Sequence, residues 1–222
     1  PCSSLEVALK DAGFIVSAIP SHGLRNVFAF ARPFIRKDAI IVSATKGIEE
    51  ETLLTASGIL KDVLKAAHNG ALVALSGPSF AREVALKLPA AVSAASESLE
   101  AATTVQRAFS TPYFRVYTNA DVIGVELGGA LKNVIAIASG ISDGLGLGCN
   151  ARAALITRGL AEMSRMGIRM GADPQTFYGL SGLGDLVLTC TGALSRNYTV
   201  GFEIGRGRSL FDVLSKMRMV AE

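Results

Sequence analysis

A chain of 222 residues, half of them hydrophobic and 18% charged, can bury a large core in one or two domains. Its formal net charge of +3, from 22 basic and 19 acidic residues scattered along the chain, gives no electrostatic case for nucleic acid. Mean hydropathy is +0.40, but charges and Gly or Pro breaks interrupt every apolar run short of membrane-spanning length, so no membrane insertion is expected.

The first half alternates short apolar strands with helical stretches. "GFIVSAIP" (13–20) reads as a continuous, buried strand. "SHGLRNVFAFA" follows with Ser21 as N-cap and helical spacing at Leu24, Val27 and Phe28. Next come a strand over 39–45, a helix over "EEETLLTASGILKDVLKAA" and a strand over 71–77. A short helix "FAREVALK" leads to a strand over 90–96, then a helix "SLEAATTVQRAF" and a last strand over 114–119. Continuous apolar strands separated by helices predict a parallel sheet covered on both faces, of the doubly wound, Rossmann type. Ligands of such sheets sit at the carboxyl ends of the strands, which singles out "IPSHG", "ATKGIE" and "LSGPSFA".

After Asn119 the strand pattern stops. "DVIGVELGGALKNVIAIASGIS" reads as one apolar helix. "NARAALITRGLAEMSRMGIRM" reads as another, opened by Asn150 and closed by Gly171. "ADPQTFYGL" reads as a helical turn with Pro174 in a favourable first position, "SGLGDLVLTCTG" as a loop, and "SRNYTVGFEIGRG" as a helix start. The expected division is therefore 1–118 for the sheet domain and 119–222 for an all-α domain. "GLGCNA" (146–151) fits G-x-G-x-x-A formally, but it follows a helical pattern and no strand carries the acidic partner. It reads as a turn between helices. Three scattered cysteines and two histidines make no metal pattern and suit a reducing cytoplasm. The start at Pro1 and the end at Glu222 read as a piece of a longer protein.

Lys132 is the one lysine in "ELGGALKNVIAIASG". Glu126 lies six residues away, not the three or four that place two side chains on one helical face. Small residues line the lysine's face and leave room for another backbone, or for a ligand. A desolvated lysine there can exchange protons; it can equally snorkel to water. Lys46 follows the second strand, where a cation can hold an anion, or simply be a loop lysine. Gly77 and Pro78 turn the chain and Ser79 can cap a helix receptive to anions. Asp185 lies among glycines, either to orient a lysine or as a turn residue. Ser195, Arg196 and Asn197 set a hydroxyl, a guanidinium and an amide at a helix start, as a phosphate clamp or a capping cluster.

"LSGPSFAREVA", "ATKGIEEET", "YTNADVIGVELGGALKNVIAIASGISDGLGLGCNARAALITRGLAEM" and "GLSGLGDLVLTCTGALSRN" closely resemble the bacterial NAD(P)-dependent glycerol-3-phosphate dehydrogenases, over essentially the whole chain. The resemblance implies a Rossmann domain followed by a helical domain, NAD or NADP as cofactor, and interconversion of dihydroxyacetone phosphate and sn-glycerol 3-phosphate for phospholipid synthesis. It implies Lys132 as proton donor and acceptor. It implies substrate contacts from Lys46, Gly77, Ser79, Asp185, Ser195, Arg196 and Asn197. Cofactor contacts are implied for Lys46, Ala81, Arg196, Val220 and Glu222. The strand and Gly-rich turn that would hold the pyrophosphate are absent from this sequence. A catalytically incompetent module that only binds the phosphorylated substrate is therefore the alternative. The apolar helices of the second half can support a homodimer.

Overall fold

The structure is a computed structural model, and it describes residues 3–192 and 194–216. Ser4 caps α1 (Leu5–Leu9), its hydroxyl accepting from the Val7 amide. The apolar runs become β1 (Phe14–Ser17), β2 (Ile40–Ser43), β3 (Leu72–Ser76), β4 (Ala90–Ala95) and β5 (Phe114–Asn119), in the spatial order β1-β2-β3-β4-β5. Between them run α2 (Ser21–Ala31), α3 (Ala56–Leu64), α4 (Ala81–Ala85) and α5 (Leu99–Phe109). Both faces are covered. Leu24 and Phe28 of α2 and Ile59 and Leu60 of α3 pack on Ile15 and Ile41. Ala101 and Val105 of α5 pack on Val42, Val73, Val92 and Val116. The inner strands β2 and β3 bury side chains on both faces, which is why their runs look continuously apolar, whereas the edge strands leave Val16 and Tyr117 exposed.

One joint departs from the expected parallel sheet: β3 and β4 are antiparallel, with Ala74 opposite Ala95 and Ser76 opposite Ser93. The cause is the connection. A five-residue α4 is about 8 Å long and does not return the chain along a strand of about 16 Å, so β4 starts where β3 ends. The eleven-residue α5 makes that return, and β4–β5 is parallel. Other local differences follow from capping. α2 is preceded by Pro20 with no side-chain cap, so Ser21 is its first residue and not its cap. The helix expected from Glu49 begins only at Ala56, because Ile48 and Thr55 form an isolated bridge that holds the intervening turn.

The second half is built on α6 (Val122–Gly144). Asp121 accepts from the Gly124 amide through one carboxylate oxygen and from the Asp173 amide through the other. It thus ties the start of α6 to the 3-10 turn Pro174–Tyr178. Val125 docks α6 on Ala74 and Ala95 of the sheet. By length and composition α6 could cross a membrane; here it packs against α7 (Gly148–Arg169), α8 (Asp185–Thr191) and α9 (Arg196–Gly205), with Glu126 and Lys132 buried on it. α7 starts at Gly148, two residues before the expected Asn150, after a turn with Gly146 and Gly148 at positive φ. α10 (Leu210–Lys216) ends the described chain.

"SGLGDLVLTCTG", expected as a loop, is helical: a π-turn over Leu180–Gly184 runs into α8. The glycines that suggested a loop serve contact instead. A Cβ on Gly182 would lie 2.1 Å from the Phe177 carbonyl oxygen. The same holds along α6. A Cβ on Gly140 would sit 2.1 Å from the Tyr198 oxygen, and one on Gly201 would sit 2.0 Å from the Ile137 oxygen. α6 and α9 therefore touch backbone to backbone.

Candidate functional site

Three elements converge on one carboxylate. Lys46 stands on the loop after β2, held where Thr45 donates through its hydroxyl to the Ile19 carbonyl of the neighbouring loop at 2.8 Å. Lys132 points from α6, and Asp185 opens α8. The Lys46 Nζ donates to Asp185 Oδ2 at 2.6 Å. The Lys132 Nζ lies 3.3 Å from Asp185 Oδ1. Asp185 is 2% exposed and Lys132 6%. One buried carboxylate thus faces two ammonium groups, one through each oxygen.

Thr189 completes the cluster. Lys132 Nζ donates to its hydroxyl oxygen at 2.7 Å, and the hydroxyl donates to the Asp185 carbonyl one turn back at 2.6 Å. Burial is the main influence on Lys132, and the positive charge of Lys46 adds to it. Asp185 offsets only part, so Lys132 is lowered to about 8. An ammonium has three N–H donors. Two are engaged by Thr189 and Asp185, so the ammonium can donate once more to an oxygen acceptor. Burial pushes the neighbouring Cys190 thiol up to about 12, so it stays protonated and inert.

The small residues around Lys132 are occupied by protein rather than left as clearance for substrate. Gly128 faces the Ser181 carbonyl, and Gly129 faces Ser76 Oγ and the stem of Lys46. The lysine without a helical partner has its partners on α8.

The remaining sequence-derived residues fall into three groups. Gly77 and Ser79 lie on the loop after β3, whose Pro78 packs beside Gly184 at the start of α8. Gly77 has φ +149°, and a Cβ there would meet the Val92 Cα at 2.8 Å. Ser79 donates through its hydroxyl to the Gly77 carbonyl at 3.1 Å; the residue at the cap of α4 is Phe80. Ala81, the first residue of α4, is exposed. Ser195 caps α9 by accepting from the Tyr198 amide. Arg196 and Asn197 form the first turn of α9, and among the described residues no hydrogen bond joins Ser195 or Asn197 to the lysine cluster. Asn197 is buried with its Oδ1 unpartnered, as is Ser76 Oγ beside Lys46. Orphaned acceptors at the carboxyl end of the sheet and on α9 suit a polar ligand. Val220 and Glu222 lie outside the described residues.

Reading 181–192 as a loop hid Thr189. The signal was present: Asp185 and Thr189 are four apart, and Leu186 and Cys190 repeat that spacing with buried apolar side chains. A groove of about 510 Å³ lies elsewhere, lined by residues including Lys61, Lys65 and His68. No group of histidine, cysteine and acidic side chains suited to a metal occurs among the described residues.

The family model described as the NAD-dependent glycerol-3-phosphate dehydrogenase N-terminus matches residues 1–102, and the corresponding C-terminus model matches residues 121–222. A glycerol-3-phosphate dehydrogenase [NAD(P)+] of Citrifermentans bemidjiense is 60% identical over 99% of this chain and 66% of its own length. One of Syntrophotalea carbinolica is 62% identical over the same shares. The crystal structure of glycerol-3-phosphate dehydrogenase from Coxiella burnetii superposes with a TM-score of 0.93 at 40% identity. That match covers 98% of this chain and 66% of the other. The chain thus spans about two thirds of the length of these relatives.

Proposed function

Since this chain belongs to the NAD-dependent glycerol-3-phosphate dehydrogenase family, we propose that it carries the catalytic centre of an NAD(P)-dependent interconversion of dihydroxyacetone phosphate and sn-glycerol 3-phosphate. In this reading the reaction runs in the cytoplasm and supplies phospholipid synthesis. The observation that carries the proposal is the buried Asp185 carboxylate shared by Lys46 and Lys132. Residues 1–118 act as part of the cofactor domain and 119–222 as the substrate domain. The exposed apolar residues Val134, Leu145 and Leu147 favour a homodimer.

The orphaned Ser76 hydroxyl, the Lys46 ammonium and the Gly77 turn at the carboxyl ends of the strands fit the nicotinamide end of a dinucleotide. Lys46 and Ala81 would hold it, together with Arg196, Val220 and Glu222. When bound, NAD(P)H supplies the hydride that the substrate C2 receives. Lys132, as ammonium, donates its third N–H to the carbonyl oxygen at C2 and transfers that proton as the alkoxide forms. The amine left behind keeps its two N–H groups on Thr189 and Asp185, and its lone pair faces the product hydroxyl for the reverse reaction. Asp185 holds both lysines in place. Lys46 adds positive charge beside the developing oxyanion. Ser195, Arg196 and Asn197 bind the substrate phosphate, with Gly77 and Ser79 lining the pocket. Binding energy at the phosphate then positions the carbonyl.

The test is NAD(P)H oxidation by the full chain with dihydroxyacetone phosphate. Lys132→Met is expected to abolish turnover while substrate binding is largely retained. A variant turning over near the parent rate would remove Lys132 from the mechanism. Binding of glycerol 3-phosphate without any turnover by the parent would instead favour a module that only binds it.

A further inference from the structure

The two lysines of the site come from different halves of the molecule, so something must fix the Lys46 loop against α6. We infer that Glu126 is the positioning residue that does this, by capping α3 across the domain junction. The inference rests on the proposed dehydrogenase reading.

Thr55 precedes α3 but its side chain makes no capping bond to that helix. The cap comes from α6 instead. Glu126 accepts from the Ser57 amide at 2.7 Å through Oε1 and from the Ser57 hydroxyl at 2.6 Å through Oε2. The Thr55 hydroxyl lies 3.5 Å from the Ser57 hydroxyl that makes the second bond. Glu126 is 7% exposed. Burial raises its pKa, and the bonds from the Ser57 hydroxyl and amide oppose that rise. A carboxylate is not desolvated without compensation; here the compensation is the amino end of a nine-residue helix.

The linkage to the site is short. Thr55 pairs with Ile48 in an isolated bridge, and Ile48 is two residues from Lys46. The carboxylate on α6 thus holds Ser57, Thr55 two residues before it bridges to Ile48, and Ile48 lies in the Lys46 loop. Six residues along α6, less than two turns, stands Lys132. Releasing Glu126 frees Lys46 to withdraw from the cluster while Lys132 stays on α6. The groups facing Lys132 are Lys46, Asp185 and Cys190. Loss of the Lys46 charge leaves Asp185 to Lys132 alone, so Lys132 holds its proton to higher pH.

The experiment compares Glu126→Ala, Glu126→Gln and Ser57→Ala in the full chain. Glutamine keeps an acceptor for the Ser57 amide and is expected to stay within about threefold of the parent in kcat/KM. Alanine is expected to lose about tenfold, to move the alkaline limb of the reduction reaction upward, and to speed amide hydrogen exchange over residues 46–57 while α8 keeps its protection. Ser57→Ala, the milder change should the alanine variant not fold, is expected to move the limb in the same direction by less. A limb fixed at the parent position in every folded variant overturns the inference, as does glutamine failing as badly as alanine. A parent chain that never oxidises NAD(P)H refutes the dehydrogenase reading alone, and the exchange experiment still decides whether Glu126 anchors the loop.

Discussion

Replacing Lys132 with methionine should make the protein more stable at neutral pH while removing its activity. Holding Lys132 at about 8 instead of 10.5 corresponds to roughly 3 kcal/mol against the charged form in the folded chain. Methionine fills a similar volume without a charge. It forfeits the bond to Thr189, about 1 kcal/mol, but strands nothing: Thr189 still donates to the Asp185 carbonyl and Asp185 keeps Lys46 at 2.6 Å. The net expectation is a gain of about 2 kcal/mol at pH 7. The pH dependence has a fixed sign. Because the folded value lies below the unfolded one, the unfolded chain binds more protons between about 8 and 10.5, and the parent gains stability as pH rises through that window. By pH 9.5 the parent recovers about 2 kcal/mol and the advantage of methionine falls to about zero. Urea unfolding at 25 °C, followed by circular dichroism at both pH values, measures this directly. A methionine variant less stable than the parent at pH 7, or an advantage that does not shrink with pH, would refute the account of Lys132 as a strained, desolvated cation.

Gly140→Ala places a Cβ 2.1 Å from the Tyr198 carbonyl oxygen, so α6 and α9 must separate; a loss of about 3 kcal/mol is expected by urea unfolding, and a loss under about 1 kcal/mol would mean that the seam adjusts freely. Asp185→Asn removes the charge and hydrogen bond that raise Lys132. The alkaline limb of the reduction rate, falling through about 8 in the parent because reduction needs the ammonium, should move to lower pH. For the parent oxidation reaction, which needs the amine, the rate should rise through about 8; pH–rate profiles in both directions check the pair of signs.

Strand positions were readable because burial of β2 and β3 on both faces leaves a run such as "IIVS" with no polar alternation. The antiparallel joint was not readable in the same way. "GPSFAREVALKLP" looks like any strand-to-helix connection, and only the five-residue length of α4 decides that the chain turns back. Lys46, Lys132 and Asp185 stood out as charges in apolar or glycine-rich surroundings. Thr189 did not, since threonine is common in helices and loops alike, and its role depends on a carbonyl one turn away. The glycines of "ELGGALKN" and "SGLGD" invited a reading as open space or loop. They are the contact points of α6, the π-turn and the Lys46 stem, because a missing Cβ looks the same in sequence whether backbone, side chain or ligand fills the gap.

By itself the sequence determined the order of the five strands and of the helices between them, the change from sheet to helices after Asn119, and the family, because periodicity and long motifs are local properties. Only the tertiary structure decided what neutralises Lys132. Its partners lie 53 and 57 residues downstream on α8, and a second lysine 86 residues upstream shares the same carboxylate. The protonation of a buried ammonium depends on distances of a few ångströms in a dry interior, and no spacing along the chain encodes those.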